Sequence, residues 1–263
     1  MSRATAASLV RGGAFAAAGI AFPFVVHAAW IVNIGVLTLM YATLATAWNL
    51  FSGYTGYISL GQVAFFGLGA YTLGISFEHF GIGSGYNPLF ALPLVGAGVA
   101  LAVCWIVLRS KLGLMLLAIR EDEEKARGLG VRVTGAKLVA WWLSIAITAM
   151  AGGVWAYYLT FIYPESAVDP LVMIGAVLMT FLGGRGTLWG PAIGAFVLVP
   201  AQQYLLTRLG ASELYLVGYS AVFMVVLLVL PRGILPSLRD AIERTRERRR
   251  THGKRITRRE AAA

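Results

Sequence analysis

A chain of 263 residues that is 58% hydrophobic and only 13% charged is not a soluble globule, whose surface ordinarily takes about a quarter of its residues as charges. Glu78 is the one formal charge between Gly12 and Leu108, and Glu165, Asp169, Arg185, Arg208 and Glu213 are the only ones between Leu138 and Leu230. The net charge of +10 is gathered at the edges of these apolar stretches, where it marks cytoplasmic membrane flanks; no recognition motif accompanies it, so nucleic acid is excluded as a partner.

A helix needs about 20 mostly apolar residues to cross the hydrocarbon core, and the apolar runs between Gly, Pro and charge predict an all-α integral membrane protein of about eight spans. The first, 12–26, holds Pro23, which kinks or ends it. It is not read as a cleaved signal, because the apolar run continues past His27 toward Leu50 and outlasts any signal core. The second span is 28–50. A glycine-rich stretch at 51–61 leads to the third, 62–77, and a loop with Gly81, Gly83, Gly85, Asn87 and Pro88 leads to the fourth, 89–108. A charged interval, 109–137, separates these from four more at 138–161, 171–182, 188–206 and 214–230. The third and sixth are short for full crossings and fit tilted or broken elements.

The basic residues give the topology. Arg109, Lys111, Arg120, Lys125, Arg127, Arg132 and Lys137 crowd the central interval, and eleven more Arg and Lys follow Pro231. Four crossings lie before the interval and four after it, so both termini and the interval fall on the cytoplasmic side. Residues 1–236 then form the membrane domain. Residues 237–263 form a basic tail, solvated and partly disordered, that suits anionic lipid headgroups.

Catalytic machinery is not legible. No G-x-x-x-x-G-K-[ST] pattern occurs, there is no H-E-x-x-H, and the single Cys104 with three histidines offers no metal set. No enzyme activity, cofactor or metal is expected. Energy has to come from a gradient or a partner. In the central interval, Leu114–Ile119 is apolar and 120–127 reads as a short charged helix, with Glu121/Lys125 and Glu123/Arg127 in favourable i, i+4 order. Gly128 and Gly130 then supply a helix stop. Such a helix on a loop suits docking into a groove of another protein, although a solvated charged loop has the same pattern. Asn49, Ser59, Gln62 and Thr180 are polar points in apolar surroundings and the candidates for lining a path. The glycines of 52–69 suit close helix packing, as do Gly190 and Gly194 after the Gly183–Gly186 turn. Arg185 at that turn is expected to reach the interface. Glu78, Glu165, Asp169 and Glu213 are read as solvated loop ends that could also meet a basic partner. Trp30, Trp141, Trp142, Trp155 and Tyr163 fit interfacial belts.

Residues 118–130, AIREDEEKARGLG, resemble the coupling loop of ABC-importer permeases. Glu124, Ala126 and Gly130 stand as counterparts of its Glu-Ala-Ala…Gly signature, and Lys125 where alanine is more usual. The chain is similar, more specifically, to the permease family of branched-chain amino-acid importers. The blocks WNLFSGYTGYISLGQVAFFGLGAY (48–71), 112–137, VLMTFLGGRGTLWGPAIGAF (177–196) and LPRG (230–233) stand in that family's order. The resemblance implies a pore-forming subunit in the cell inner membrane, joined to a second, paralogous permease, two ATPase subunits and a periplasmic substrate-binding protein. It implies that Arg120, Glu121, Asp122, Glu123, Glu124, Ala126, Arg127 and Gly130 form the ATPase-coupling helix. Branched-chain or other amino acids are the implied cargo, with urea, short amides and aromatic acids as alternatives. A secondary transporter or a membrane scaffold is the rival from another class, and neither explains the charged helix ended by glycine.

Overall fold

The computed structural model describes residues 29–80, 91–159, 168–209 and 233–238, with 220, 221 and 224. The spans expected at 12–26 and 214–230, the 81–90 loop, Tyr163, Glu165, Glu213 and the basic tail lie wholly or mostly outside these residues. Every regular element among the described residues is helical. In chain order, the described residues include α1 (Ala29–Trp48), α2 (Gln62–Phe80), α3 (Ala91–Arg109), α4 (Lys111–Glu121), α5 (Glu123–Gly128), α6 (Val133–Leu159), α7 (Pro170–Gly183) and α8 (Gly190–Leu209). α1 runs on into one π-turn, Asn49–Gly53.

Among the described residues, three stretches, Trp30–Gly53, Leu92–Arg109 and Val133–Leu159, are long and apolar enough to cross a membrane. The chain is thus an integral membrane protein of helices. α2 and α7 are also apolar. The 14 residues of α7 reach only about 21 Å at 1.5 Å per residue, short of the roughly 30 Å hydrocarbon core.

α1 is apolar on every side, the pattern of a helix buried all round, and it packs against α3, α6, α7 and α8. Val36, Met40, Leu44, Ala47 and Trp48 are buried along it. Its buried hydroxyls need partners that water cannot supply. Thr38 and Thr43 donate to the carbonyls of Ile34 and Leu39 one turn back, at 2.7 and 2.8 Å.

α2 and α6 form the tightest seam. A Cβ on Gly69 would overlap the carbonyl of Ala149, and one on Gly152 would overlap that of Phe66. Backbone thus lies on backbone, which only glycine permits. Phe65 meets Trp141 edge-on at 5.4 Å nearby. The α7–α8 hairpin repeats the device, as Gly183 and Gly194 lie against the carbonyls of Gly190 and Met179. This is the close approach read from the Gly190/Gly194 spacing.

The connections at one end of the bundle gather together. The turn after α1, the α3–α6 interval, the Gly184–Trp189 turn between α7 and α8, and Gly233 all touch there. A Cβ on Gly233 would lie 2.6 Å from the Cα of Gly184. The four sequence blocks singled out above therefore converge in space.

Candidate functional site

At this end the chain leaves α3 through Ser110, whose hydroxyl accepts the Leu112 N–H at 3.2 Å and caps α4. α4 buries Gly113, Leu116 and Ile119 and leaves Leu114 and Leu117 exposed. Asp122 then interrupts it. With φ −163° and ψ 112°, Asp122 is extended, and its carboxylate accepts the Lys125 N–H at 3.0 Å to cap α5. The single charged helix expected over 120–127 is therefore two helices with a break at Asp122. The aspartate satisfies a free N–H at the start of α5 better than it would continue α4. Of the two expected ion pairs, Arg127–Glu123 forms at 3.1 Å. Lys125 turns instead to Asp122 at 2.9 Å.

α5 ends as its glycines indicate. Gly130 adopts φ +85°, its N–H donates to the Arg127 carbonyl at 3.0 Å, and the Val131 N–H donates to that of Ala126 at 3.1 Å. This is the six-to-one and five-to-two pattern of a Schellman stop, and the buried Ala126 packs with Val131 beneath it.

Glu123 is a hub. Its Oε2 accepts from Lys137 Nζ at 2.5 Å and from the Tyr57 hydroxyl, while Oε1 faces Arg127. Lys137 also sits 3.9 Å from the centroid of the Tyr57 ring. These contacts, the hydrogen bond from Lys137 first and that from Tyr57 next, hold the Glu123 carboxyl below its ordinary value of 4.5. The bond from the Lys125 N–H does the same for Asp122. Glu121, Glu124, Lys125, Arg127 and Leu129 point outward, Leu129 with 85% of its surface exposed. Arg120 turns inward. Its Cγ lies 3.5 Å from where a Cβ on Gly56 would stand, and its guanidinium fills the space beside Gly186.

Each of the four polar residues expected near a path has a place. Asn49 is buried and bridges two turns, its Nδ2 donating to the Thr187 carbonyl at 2.9 Å and its Oδ1 accepting the Gly186 N–H at 2.8 Å. Ser59, half-buried, accepts from Trp48 Nε1 at its carbonyl at 2.8 Å and donates its N–H to the Ser52 hydroxyl at 3.2 Å. Gln62 donates to the Ser144 hydroxyl at 2.8 Å, and Ser144 passes the bond to the Ala47 carbonyl at 2.6 Å. Thr180 donates to the carbonyls of Ala176 and Ala45. Gln62 Oε1 is buried without a partner, like Thr46 Oγ1 and Trp155 Nε1.

Asp169 caps α7 through the Leu171 N–H at 2.8 Å, with Pro170 beside it. Arg185 is exposed above the Phe181 ring, 5.4 Å from its centroid. Trp30 and Trp142 are exposed, whereas Trp155 is partly buried and stacks on Tyr158. Tyr57 and Lys137 escaped sequence reasoning. Lys137 is the last charge before the apolar body of α6, a position that reads only as a membrane flank.

An all-helical membrane chain with a capped, charged elbow between spans has the form of a transport permease. Residues 88–231 match the family described as "Branched-chain amino acid transport system / permease component". That is more than half of the chain, and the chain belongs to this family of transport permeases, which is not an enzyme class. Over 158 residues it is 31% identical to the high-affinity branched-chain amino acid transport system permease protein LivM of Salmonella typhimurium, covering 59% of this chain and 36% of LivM. LivM of Escherichia coli is 30% identical over the same coverage. The autoinducer 2 import system permease protein LsrC of Photorhabdus laumondii is 32% identical over 102 residues, 37% of this chain and 31% of LsrC. The chain thus spans little more than a third of the length of the LivM proteins it matches. No solved structure matches it.

Proposed function

We propose that the chain is a permease subunit of an ATP-driven importer in the cell inner membrane and forms part of the path for a small polar solute, branched-chain or other amino acids first among the candidates. Its partners are a second, paralogous permease, two ATPase subunits and a periplasmic substrate-binding protein. The observation that carries this reading is the construction of the 110–131 elbow. A solvated loop needs no cap at both ends of a six-residue helix, no buried Ala126 and no hub at Glu123. A helix held this firmly with Glu121, Glu124, Lys125, Arg127 and Leu129 facing out is a docking element. Arg120, Asp122, Glu123, Ala126 and Gly130 hold it in shape. The elbow and both chain termini lie on the cytoplasmic side, where an ATPase is reached, and the basic 237–263 tail lies on lipid headgroups.

Within the membrane, the path runs beside α1, α2 and α6. Gln62 Oε1, buried and unpartnered, becomes available to solute when α1 moves away from the α2–α6 pair, and Asn49, Ser59 and Thr180 shape the path through the ties described above. Urea, short amides and aromatic acids stand as alternatives to amino acids, and the LsrC relatives, named for autoinducer 2 import, add that signal to them.

Purification of the tagged chain from its native membrane in mild detergent, with partners identified by mass, tests this. Recovery of an ATPase with a Walker A motif and a second permease-like chain is expected, and the co-purifying binding protein would name the solute. Recovery of the chain alone, while other membrane complexes survive the same detergent, would overturn the importer in favour of a secondary transporter or scaffold.

A further inference from the structure

Three side chains meet at Glu123 from three parts of the fold. Glu123 opens α5, Lys137 lies in the first turns of α6, and Tyr57 sits in the loop between the π-turn of α1 and the start of α2. The contacts are unlike in kind: an ion pair at 2.5 Å, a hydroxyl bond to the same oxygen, and a cation over a ring at 3.9 Å. Lys137 and Glu123 keep only 23% and 26% of their side-chain surface. The other two ion pairs of the elbow each leave one partner largely exposed, at 82% and 68%.

The backbone on either side of α5 is made to bend. Asp122 is extended before it and Gly130 is left-handed after it, so two backbone breaks set α5 apart from α4 and α6, and its apolar hold on the bundle is the buried Ala126. The Glu123 junction adds a polar tie to two further elements. A displacement of α5 pulls Tyr57, and the loop carries it to Ser59, which is bonded to Trp48 and Ser52 at the foot of α1. Through Lys137 the same displacement enters α6. α1 and α6 are the helices joined by the Ser144–Ala47 bond, with Gln62 on its other side.

We propose that the Glu123–Lys137–Tyr57 junction is the joint through which movement of α5 reaches the feet of α1 and α6, with Tyr57 and Lys137 as positioning residues. This rests on the importer reading and adds to it the route by which a docked ATPase acts on the path. A contiguous network makes such a route possible, and only a coupling measurement establishes it.

The test uses the complete complex, reconstituted in lipid nanodiscs, with a fluorophore on Leu60→Cys, an exposed position in the same loop. The quantity read is the change in label signal between the nucleotide-free and the ATP–vanadate-trapped complex, beside the ATP hydrolysis rate per complex. Tyr57→Phe keeps the ring over Lys137 and removes one hydroxyl, so the fold is not at risk. It is expected to shrink the nucleotide-driven signal about threefold or more while hydrolysis stays within about twofold. Lys137→Met is expected to do so more strongly. Exchanging the pair, Glu123→Lys with Lys137→Glu, is expected to recover about half of the signal that either single change loses. A junction that is only a static brace would leave the nucleotide-driven signal unchanged in Tyr57→Phe and Lys137→Met, and that result overturns the proposal. A wild-type complex that contains no ATPase would overturn the importer reading, and the two failures are told apart before any variant is made.

Discussion

The α2–α6 seam and the charged elbow at 110–131 are held by opposite means. In the seam, contact is backbone on backbone, with Gly69 and Gly152 pressed against the carbonyls of Ala149 and Phe66, and there is no slack for a single added methyl. Around α5 in the elbow, position is set at a few points: one capping carboxylate, one left-handed glycine, one hub oxygen pair and the buried Ala126. Close packing resists any small displacement, because its contacts are lost steeply with distance. A few polar ties around two backbone breaks hold one geometry and release it as a unit. On the importer reading, the α2–α6 pair is the part that keeps together, and α5 is the part argued to move.

The sharpest way to break the comparison is to put a side chain into the seam. Gly152→Val would force α2 and α6 apart, and overpacking of this kind costs about 1–3 kcal/mol even where neighbours can give way. Here the neighbour is backbone. Monodisperse protein on size exclusion is expected to fall about tenfold. Gly98→Val, on an exposed face with nothing within 4 Å of the added carbon, is the matched control and should leave yield unchanged. Next in size is Asn49→Ala. It strips partners from the Gly186 N–H and the Thr187 carbonyl at once. At about 1–3 kcal/mol for an unsatisfied buried group, lowered because both residues are half-buried, the expected loss is about 2 kcal/mol. Thermal unfolding in detergent would read it, and an unchanged midpoint would mean that water replaces the amide.

The all-helical character and the placement of several helices among the described residues were legible, because apolar length and glycine spacing are one-dimensional signals; of the eight expected spans, three described helices are long and apolar enough to cross. α3, α6 and α8 begin and end within a few residues of the expected spans, and Gly130 was readable as a stop because its position needs φ above zero. The break at Asp122 was not. The same Asp-Glu-Glu-Lys run serves as helix interior by its i, i+4 charges or as a cap by its first carboxylate, and the choice goes with Ala126 being buried and the partly buried Val131 packing on the same cluster. The Glu123 hub was hidden for a different reason. Tyr57 is 66 residues away from it in sequence, and no local pattern pairs a loop tyrosine with a distant glutamate. Asn49 and Thr180, chosen as polar points along a path, also tie turns and helices together in the structure, a second role that a polar side chain in an apolar span does not reveal.

A smaller effect separates end from end. Asp169 starts α7 by accepting the Leu171 N–H at 2.8 Å, and Asp169→Ala is expected to cost about 1 kcal/mol, with Asp169→Ser recovering most of it. A drop as large as that of Asn49→Ala would mean that the carboxylate has a further partner across the α6–α7 connection.

The smallest expected effect is the pH response, and its sign follows from the hub. Lys137 and then Tyr57 hold the Glu123 carboxyl below 4.5. A carboxyl lowered by folding contributes stability that is complete above its ordinary value and is lost as pH falls through the lowered one. The difference in thermal stability between the wild type and Glu123→Gln should therefore be flat from about pH 8 to about pH 6 and shrink only on the acid side of 4.5. Asp122, lowered by the Lys125 N–H, is present in both proteins and cancels in the difference. Gly152→Val changes no charge, so its deficit against the wild type should stay constant through the same acid range. A Glu123→Gln difference that varied between pH 6 and 8 would mean that a group other than this carboxylate titrates in the junction, and the elbow would then be held by something other than the three side chains seen at Glu123.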